Sequence, residues 1–221
     1  MARAEEGAGG VRRYGAIVLA AGSSSRMGAH KLLLPLGGRP LVAYAVAAAC
    51  DTSADPVVVV LGRGAEEVRA ALPAGRYVTG VNPDFAAGMA GSLRTGLRAL
   101  RTAAGDGQLA GVLIALADQP LASADLFDAL LRRAAEVSEA IVAPSYGGRR
   151  GNPVVFPAAL FDELERVEGD KGGRAVIARH TGRLALVEWP DLRAALDVDR
   201  PDDYERVVSL LAGNSSATSE G

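Results

Sequence analysis

The stretch AIVLAAGSSSRMGAHK, residues Ala16–Lys31, joins a run of apolar residues to a loop of small residues that carries one arginine and one lysine. The apolar run Ala16–Ala20 predicts a strand that is buried on both faces. In the loop, glycine and serine would let backbone amides approach an anion closely, and Arg26 and Lys31 would supply positive charge. The spacing matches neither the P-loop, GxxxxGK[ST], nor the dinucleotide fingerprint GxGxxG. On composition alone, a solvated turn with two cations is an equal alternative.

Further apolar runs alternate with helical patterns along the rest of the chain. Strands are predicted at Val57–Leu61, Tyr77–Val81, Gly111–Leu116, Ala140–Ala143, Pro153–Phe156 and Leu184–Val187. Helices are predicted at Leu41–Ala49, Ala65–Leu72, Gly91–Ala103, Ser123–Ala135, Gly172–Arg179 and Asp202–Leu211. This alternation predicts an α/β three-layer sandwich with a mostly parallel, Rossmann-like sheet. We expect one domain over residues 13–212, between disordered tails at 1–12 and 213–221.

Composition and charge exclude several classes of protein. The 221 residues carry 24 Lys plus Arg against 26 Asp plus Glu, a formal charge of −2, which argues against a protein that coats nucleic acid. No apolar run reaches the roughly 18 residues of a membrane span. The single cysteine, Cys50, fits a reducing compartment, so we expect a cytoplasmic protein. Only Lys31 and Lys171 are lysines, which gives both more weight as functional candidates.

Three carboxylates are candidate metal ligands. Asp118 follows the apolar run Gly111–Leu116 within ADQPL, at the strand edge where open α/β sheets bind ligands. A carboxylate buried there would need a cation or hydrogen-bond donors. Asp197 and Asp199, in DVDRPDD, alternate along the chain, so both would face one side and offer the oxygen ligands that Mg²⁺ prefers. The alternatives are an aspartate that caps a turn at Pro120 and a solvated acidic turn before the last helix.

Three further segments combine glycine with polar or charged residues. Gly88–Ser92, GMAGS, lies at the start of a predicted helix, where free backbone amides favour an anion, and a plain helix cap is the alternative. Gly151–Pro153, GNP, leads into a predicted strand. Lys171 follows Asp170 where a helix is predicted to begin, a position that disfavours a cation. It therefore indicates an anionic partner, unless it pairs with Asp170.

From Gly15 to about Val208, six motifs in order resemble those of molybdenum cofactor cytidylyltransferase-like nucleotidyltransferases, the MobA-like NTP transferase family. The loop LAAGSSSRMGAHK resembles the signature LA[AG]GxSxRMGxxK, ADQPL resembles the family's DxP step, and DVDRPDD resembles its D[IV]DxPED step. The segments GMAGSL, GNPV and GDKGGR resemble the other three. The resemblance implies a GT-A-like fold of the nucleotide-diphospho-sugar transferase type.

The resemblance also implies a role for each matching residue. The nucleotide would be bound by Leu19, Ala20, Ala21, Gly22, Ser23, Ser24, Arg26, Lys31, Gly88, Met89 and Ser92. The acceptor would be bound by Gly151, Asn152, Pro153, Asp170 and Lys171. The metal, Mg²⁺ or alternatively Mn²⁺, would be held by Asp118 and Asp199, with Asp197 ranked below Asp199. The catalytic residues would be Arg26, Lys31 and Asp118.

The implied reaction is transfer of CMP from CTP to a phosphate-bearing acceptor, first of all the molybdenum cofactor, with release of pyrophosphate (EC 2.7.7 type). Ala21 favours CTP over GTP, because cytidylyltransferases of the family read LAAG and guanylyltransferases read LAGG. Alternatives are a guanylyltransferase, and an enzyme that uses a sugar phosphate or phosphocholine. A nucleotide-binding regulator and a cofactor-carrying maturation chaperone are the non-enzymatic rivals. We expect a monomer or weak dimer with a transient molybdoenzyme partner, and neither nucleic acid nor membrane as partners.

Overall fold

The structure, a computed structural model, describes residues 12–22 and 30–217, with side chains up to Gly213. The strands are β1 Tyr14–Ala20, β2 Pro35–Leu36, β3 Arg39–Pro40, β4 Val57–Leu61, β5 Val78–Val81, β6 Gly111–Leu116, β7 Ile141–Tyr146, β8 Arg149–Arg150, β9 Val154–Pro157 and β10 Leu184–Glu188. The helices are α1 Val42–Cys50, α2 Ala65–Ala70, α3 Met89–Ala104, α4 Ala124–Glu136, α5 Phe161–Glu165, α6 Gly173–Arg179 and α7 Pro201–Ala217.

Eight of these strands form one mixed, mostly parallel sheet in the order β10-β7-β9-β6-β1-β4-β5, with β8 paired to β7. The central strands β6, β1, β4 and β5 run parallel to one another. Strand β9 is antiparallel to both of its neighbours, β6 and β7. Helices cover both faces, so the predicted three-layer α/β sandwich is confirmed.

The two faces of the sheet carry separate hydrophobic cores. In β4, Val57 and Val59 pack into a core with α1 and α4, whereas Val58 and Val60 pack into a second core with α3, α5 and α6. Successive strand residues point to opposite faces, so a strand covered on both sides must be apolar at every position. This explains why β1, β4 and β6 are uninterrupted apolar runs.

The boundaries of several elements differ from the predicted ones. Strand β7 continues to Tyr146, because pairing with β10 holds Pro144 and Ser145, two residues of low strand propensity. Helix α7 runs on to Ala217, into the segment predicted as a tail from residue 213. A glycine and small polar residues weaken a helix by only about 1 kcal/mol each, so they do not end it. Helix α4 begins one residue after the predicted start, because Ser123 caps it through a hydroxyl that accepts a hydrogen bond from the Leu126 amide. None of the helices in the described ranges is long and apolar enough to cross a membrane.

The contact between β6 and β9 predicts the cost of one added methyl group. A Cβ on Gly111 would lie 2.5 Å from the carbonyl oxygen of Phe156 and 2.9 Å from the ring of Tyr14. Because the carbonyl belongs to a paired strand, Gly111→Ala should lower the free energy of unfolding by about 1–3 kcal/mol. Gly182→Ala, where nothing lies within 4 Å, is the matched control. Urea denaturation of both variants checks this, and equal unfolding free energies for the two would contradict the strand packing.

Candidate active site

The carboxyl ends of β1 and β6 bring two of the sequence motifs together. The strands are parallel neighbours with Leu19 opposite Leu116, so the chain leaves both at the same edge of the sheet. The Ala117 amide donates to the Leu19 carbonyl at 3.1 Å, which continues the pairing one residue past the strand. Asp118 therefore lies at the same edge of the sheet as the start of the glycine loop.

The third motif lies beside the second. The Val198 amide donates to the Asp118 carbonyl at 2.9 Å, and the Gln119 side-chain amide donates to Asp197 Oδ1 at 2.6 Å. These two bonds fix the segment 197–199 against the segment that follows β6. The two aspartates have different partners, because Asp197 accepts a hydrogen bond from Gln119 and Asp199 contacts another side chain.

That partner is Lys31, whose ammonium joins the carboxylates of two motifs. Its Nζ lies 2.7 Å from Asp118 Oδ2 and 2.8 Å from Asp199 Oδ1, and its side chain is only 9% exposed. Burial by itself would lower the pKa of Lys31, but the two carboxylates outweigh burial and leave the pKa raised. The lysine is therefore protonated at neutral pH and forms a part-buried ion triad with the two aspartates, of which Asp199 is the more exposed.

The backbone around Lys31 is fixed to the neighbouring strand. His30 donates through Nε2 to the Arg63 carbonyl at 2.7 Å, just after β4. Lys31–Leu33 then forms a short 3₁₀ turn in which the Leu33 amide donates to the His30 carbonyl at 2.9 Å. The far end of the glycine loop is thus anchored to the same sheet edge as its beginning.

One oxygen of this triad has no partner among the described residues. Asp118 Oδ1 is buried and accepts no hydrogen bond from them, although an ionised oxygen removed from water requires a donor or a cation. The described residues contain no ready group of three or more His, Cys, Asp or Glu side chains that could hold a metal. Two carboxylates are nevertheless sufficient for Mg²⁺, which commonly completes its shell with water and phosphate oxygens. Asp118 and Asp199 therefore fit such an ion.

Asp197 has a different environment from the other two aspartates. It is open to a cavity, yet the surrounding protein removes enough water to raise its pKa, and the charges of Asp118 and Asp199 raise it further. The hydrogen bond from Gln119 acts in the opposite direction. Asp197 is thus near the ion triad but makes no hydrogen bond to Lys31.

A cavity of about 430 Å³ lies on one side of the triad. Its wall contains Leu19, Ala21, Gly22, Lys31, Gly88, Met89 and Ser92, all predicted to bind the nucleotide, together with Asp118. Ala20, also predicted there, lies instead in the core, because its side chain points to the opposite face of β1. Ser23, Ser24 and Arg26 lie outside the described residues.

The cavity also contains residues that the sequence did not single out for it. Phe85 and Ala86 line it from a 3₁₀ turn before α3. Asn82, at the end of β5, donates to the Ser92 hydroxyl at 3.0 Å and so fixes a polar group on the wall. Asp170, predicted to bind the acceptor, lines this cavity because it packs on Gly88, where a Cβ would lie 2.5 Å from Asp170 Oδ1.

A second, open cavity of about 760 Å³ lies on the other side of Gln119 and Asp197. Gly151 and Asn152, both predicted to bind the acceptor, line it, whereas Pro153 is buried behind them. Lys171 is exposed and lines a smaller recess beside this cavity. No ion pair joins it to Asp170 within the described part of the chain. The edge of the sheet thus holds two cavities with a buried lysine and two aspartates near their boundary.

Comparison with known proteins fits this arrangement. The model of the MobA-like NTP transferase domain matches residues 16–184. The chain belongs to the MobA-like NTP transferase family. Membership makes it a nucleotidyltransferase by family and confirms the resemblance drawn from the motifs.

Among relatives, the purine catabolism protein PucB of Bacillus subtilis is 31% identical over 204 residues, covering 89% of this chain and 96% of that protein. The nicotine blue oxidoreductase of Paenarthrobacter nicotinovorans is 32% identical over 199 residues, covering 87% and 95%. A crystal structure of Rv0371c from Mycobacterium tuberculosis, in complex with manganese, superposes with a TM-score of 0.71 at 28% identity, covering 89% of this chain and 98% of that one.

The triad predicts an unusual effect of removing a charge. Lys31→Met should tighten Mn²⁺ binding in the absence of nucleotide by roughly tenfold, because the ammonium no longer competes for the two carboxylates. Arg132→Met, which removes one exposed charge from α4, is the control and should leave the affinity unchanged. Loss of the free Mn²⁺ signal in electron paramagnetic resonance measures both. Equal or weaker binding by Lys31→Met would show that the carboxylates are not the metal site.

Proposed function

We propose that this chain transfers a nucleoside monophosphate from a nucleoside triphosphate to a phosphate-bearing acceptor and releases pyrophosphate. The observation that carries the proposal is the Asp118–Lys31–Asp199 triad, which lies beside the cavity predicted for the nucleotide and close to the cavity predicted for the acceptor. Opposite charges concentrated there suit a reaction in which a metal ion and several phosphates meet. Family membership supports the same class of reaction.

In this proposal an acceptor phosphate oxygen attacks the α-phosphorus, and the bond to the β-phosphate oxygen breaks. Asp118 and Asp199 would hold Mg²⁺, or Mn²⁺ as in the manganese complex of the mycobacterial relative. When bound, such an ion polarises phosphate oxygens and offsets developing charge. Lys31 would then turn from the carboxylates to the phosphates. Arg26, outside the described residues, is proposed to share that role. Catalysis would consist of positioning and electrostatic stabilisation, with no covalent enzyme intermediate.

We propose CTP as the nucleotide, with GTP as the alternative. Ala21 lines the nucleotide cavity, and its methyl group packs against the backbone of Gly62, where a Cβ would lie 2.8 Å away. The methyl group is thus held in one place on the wall. A contact of this size typically discriminates by about 1–3 kcal/mol, so hydrogen bonds to the base must supply the rest of the selectivity. The Ser92 hydroxyl, fixed by Asn82, is one group on the wall that could form such a bond.

For the acceptor we propose the molybdenum cofactor, with sugar phosphates and phosphocholine as alternatives. The names of the two relatives refer to purine catabolism and to nicotine blue, so they leave the acceptor open. A transient molybdoenzyme partner, a cytoplasmic location and a monomeric or weakly dimeric state belong to the same proposal. A regulator or a chaperone would not need both aspartates and Lys31 together, which favours an enzyme.

Asp118→Asn tests the proposed reaction, because it removes a metal-binding charge and keeps the side-chain volume. We expect turnover to fall at least about 100-fold, the scale for losing one electrostatic stabiliser, with cooperative unfolding retained. Pyrophosphate release is measured with each of the four nucleoside triphosphates against molybdenum cofactor, a sugar phosphate and phosphocholine. Asp106→Asn, an exposed aspartate remote from the site, is the control. Near-normal turnover by Asp118→Asn at low Mg²⁺ would refute the role of Asp118.

A further inference from the structure

The cavity predicted for the acceptor has a basic wall. Arg150 lies on β8 and Arg174 on α6, and both line the 760 Å³ cavity together with Asn152. The same three residues line a small recess that reaches Leu19, Met89 and Leu116. Those last three residues also line the nucleotide cavity. Arg150 and Arg174 therefore lie between the cavity predicted for the acceptor and the cavity predicted for the nucleotide.

Neither arginine pairs with a carboxylate of the residues that the structure describes. Within the described ranges no carboxylate lies within ion-pair distance of Arg150 or Arg174, whereas Arg101 pairs with two carboxylates and Arg183 with Glu139. Partial burial lowers the pKa of Arg150, and the positive charge of Arg174 lowers it further. Two cations held near each other repel unless an anion lies between them. The positive charge of Arg150 and Arg174 is thus not balanced by a carboxylate of the described residues.

The backbone that carries Arg150 is held in place. Tyr146 and Arg149 pair across a tight turn whose residues, Gly147 and Gly148, have positive φ. The Gly151 amide donates to the Pro144 carbonyl at 3.0 Å, and the Tyr146 hydroxyl donates to the Asn152 carbonyl at 2.8 Å. Arg150 is therefore fixed through bonds on both sides, unlike an arginine on a free loop.

The chemistry of the proposed reaction requires positive charge at this place. Two anions, the acceptor phosphate and the triphosphate, must approach each other, and in the proposed reaction Lys31 and the metal ion serve the triphosphate. A guanidinium presents a planar fork of donors that matches phosphate oxygens. A phosphate monoester has its second pKa near 6, so most of it is the dianion at neutral pH and it can attack without giving up a proton.

We propose that Arg150 and Arg174 bind the attacking phosphate of the acceptor, and so select acceptors that are phosphate monoesters. This inference rests on the proposed function. One phosphate oxygen forms the new bond to the α-phosphorus while the bond between the α-phosphorus and its bridging oxygen breaks, and pyrophosphate carries that oxygen away. The two guanidiniums hold the remaining oxygens of the acceptor phosphate throughout.

The test uses inorganic phosphate as the probe, on the full chain saturated with Mg²⁺ and a non-hydrolysable CTP analogue. The analogue fills the nucleotide cavity, so phosphate reports on the second cavity. Calorimetric titration should show phosphate binding to the wild type, weakened at least tenfold in the Arg150→Gln/Arg174→Gln double variant. Arg132→Gln, an exposed arginine on α4, should bind phosphate as the wild type does. Phosphate that does not bind the wild type, or binds the double variant equally well, overturns the inference.

Kinetics give a second readout that separates this inference from the proposed function. In the double variant the KM for a phosphorylated acceptor should rise at least tenfold, while the KM for the nucleotide stays within twofold. An equal rise in both values would place the arginines on the nucleotide instead. If the wild type binds the analogue but forms no product with any acceptor, the proposed function fails. Phosphate binding can still test the arginine pair in that case.

Discussion

The ammonium of Lys31 lies between the carboxylates of Asp118 and Asp199, and this contact joins three segments that are far apart in the chain. Each segment follows or precedes a different element of the sheet edge, so the contact forms only when β1, β6 and the start of α7 are all in place. A buried ion pair contributes little net stability, but one member left alone is strongly unfavourable. The triad is therefore better explained as a poised site than as a source of stability. In the proposed reaction a metal ion replaces the ammonium on the two carboxylates, and the phosphates of the nucleotide pair with the ammonium. No charge is then left unpaired.

Much of the fold could be predicted from the sequence, because the strands are buried on both faces. Continuous apolar runs gave the bounds of β4 and β6 as they are found, and alternation with helices gave the three layers. The antiparallel direction of β9 could not be read, since a run such as Val154–Pro157 has the same pattern in either direction. The two-residue strands β2, β3 and β8 are too short to carry a period.

At the site, the motifs predicted which residues meet but not how they pair. Lys31 was expected on phosphates and is found on the two aspartates, whose carboxylates lie 2.7 Å and 2.8 Å from its ammonium. The bond between Gln119 and Asp197 was missed, since side-chain amides carry no periodic signal. Arg150 was missed because arginine supplies 22 of the 24 basic residues, so composition makes no single arginine conspicuous. Its position distinguishes it, because it lines both the 760 Å³ cavity and the recess that reaches the nucleotide cavity.

We propose that the Lys31 ammonium occupies the position of a metal ion until a nucleotide binds. A crystal structure of the protein with Mn²⁺ and a non-hydrolysable CTP analogue tests this directly, because the anomalous signal locates the metal. We expect Mn²⁺ bound by Asp118 and Asp199, with the Lys31 ammonium moved onto the phosphates. Manganese bound elsewhere, or Lys31 still between the two carboxylates with nucleotide present, would contradict it.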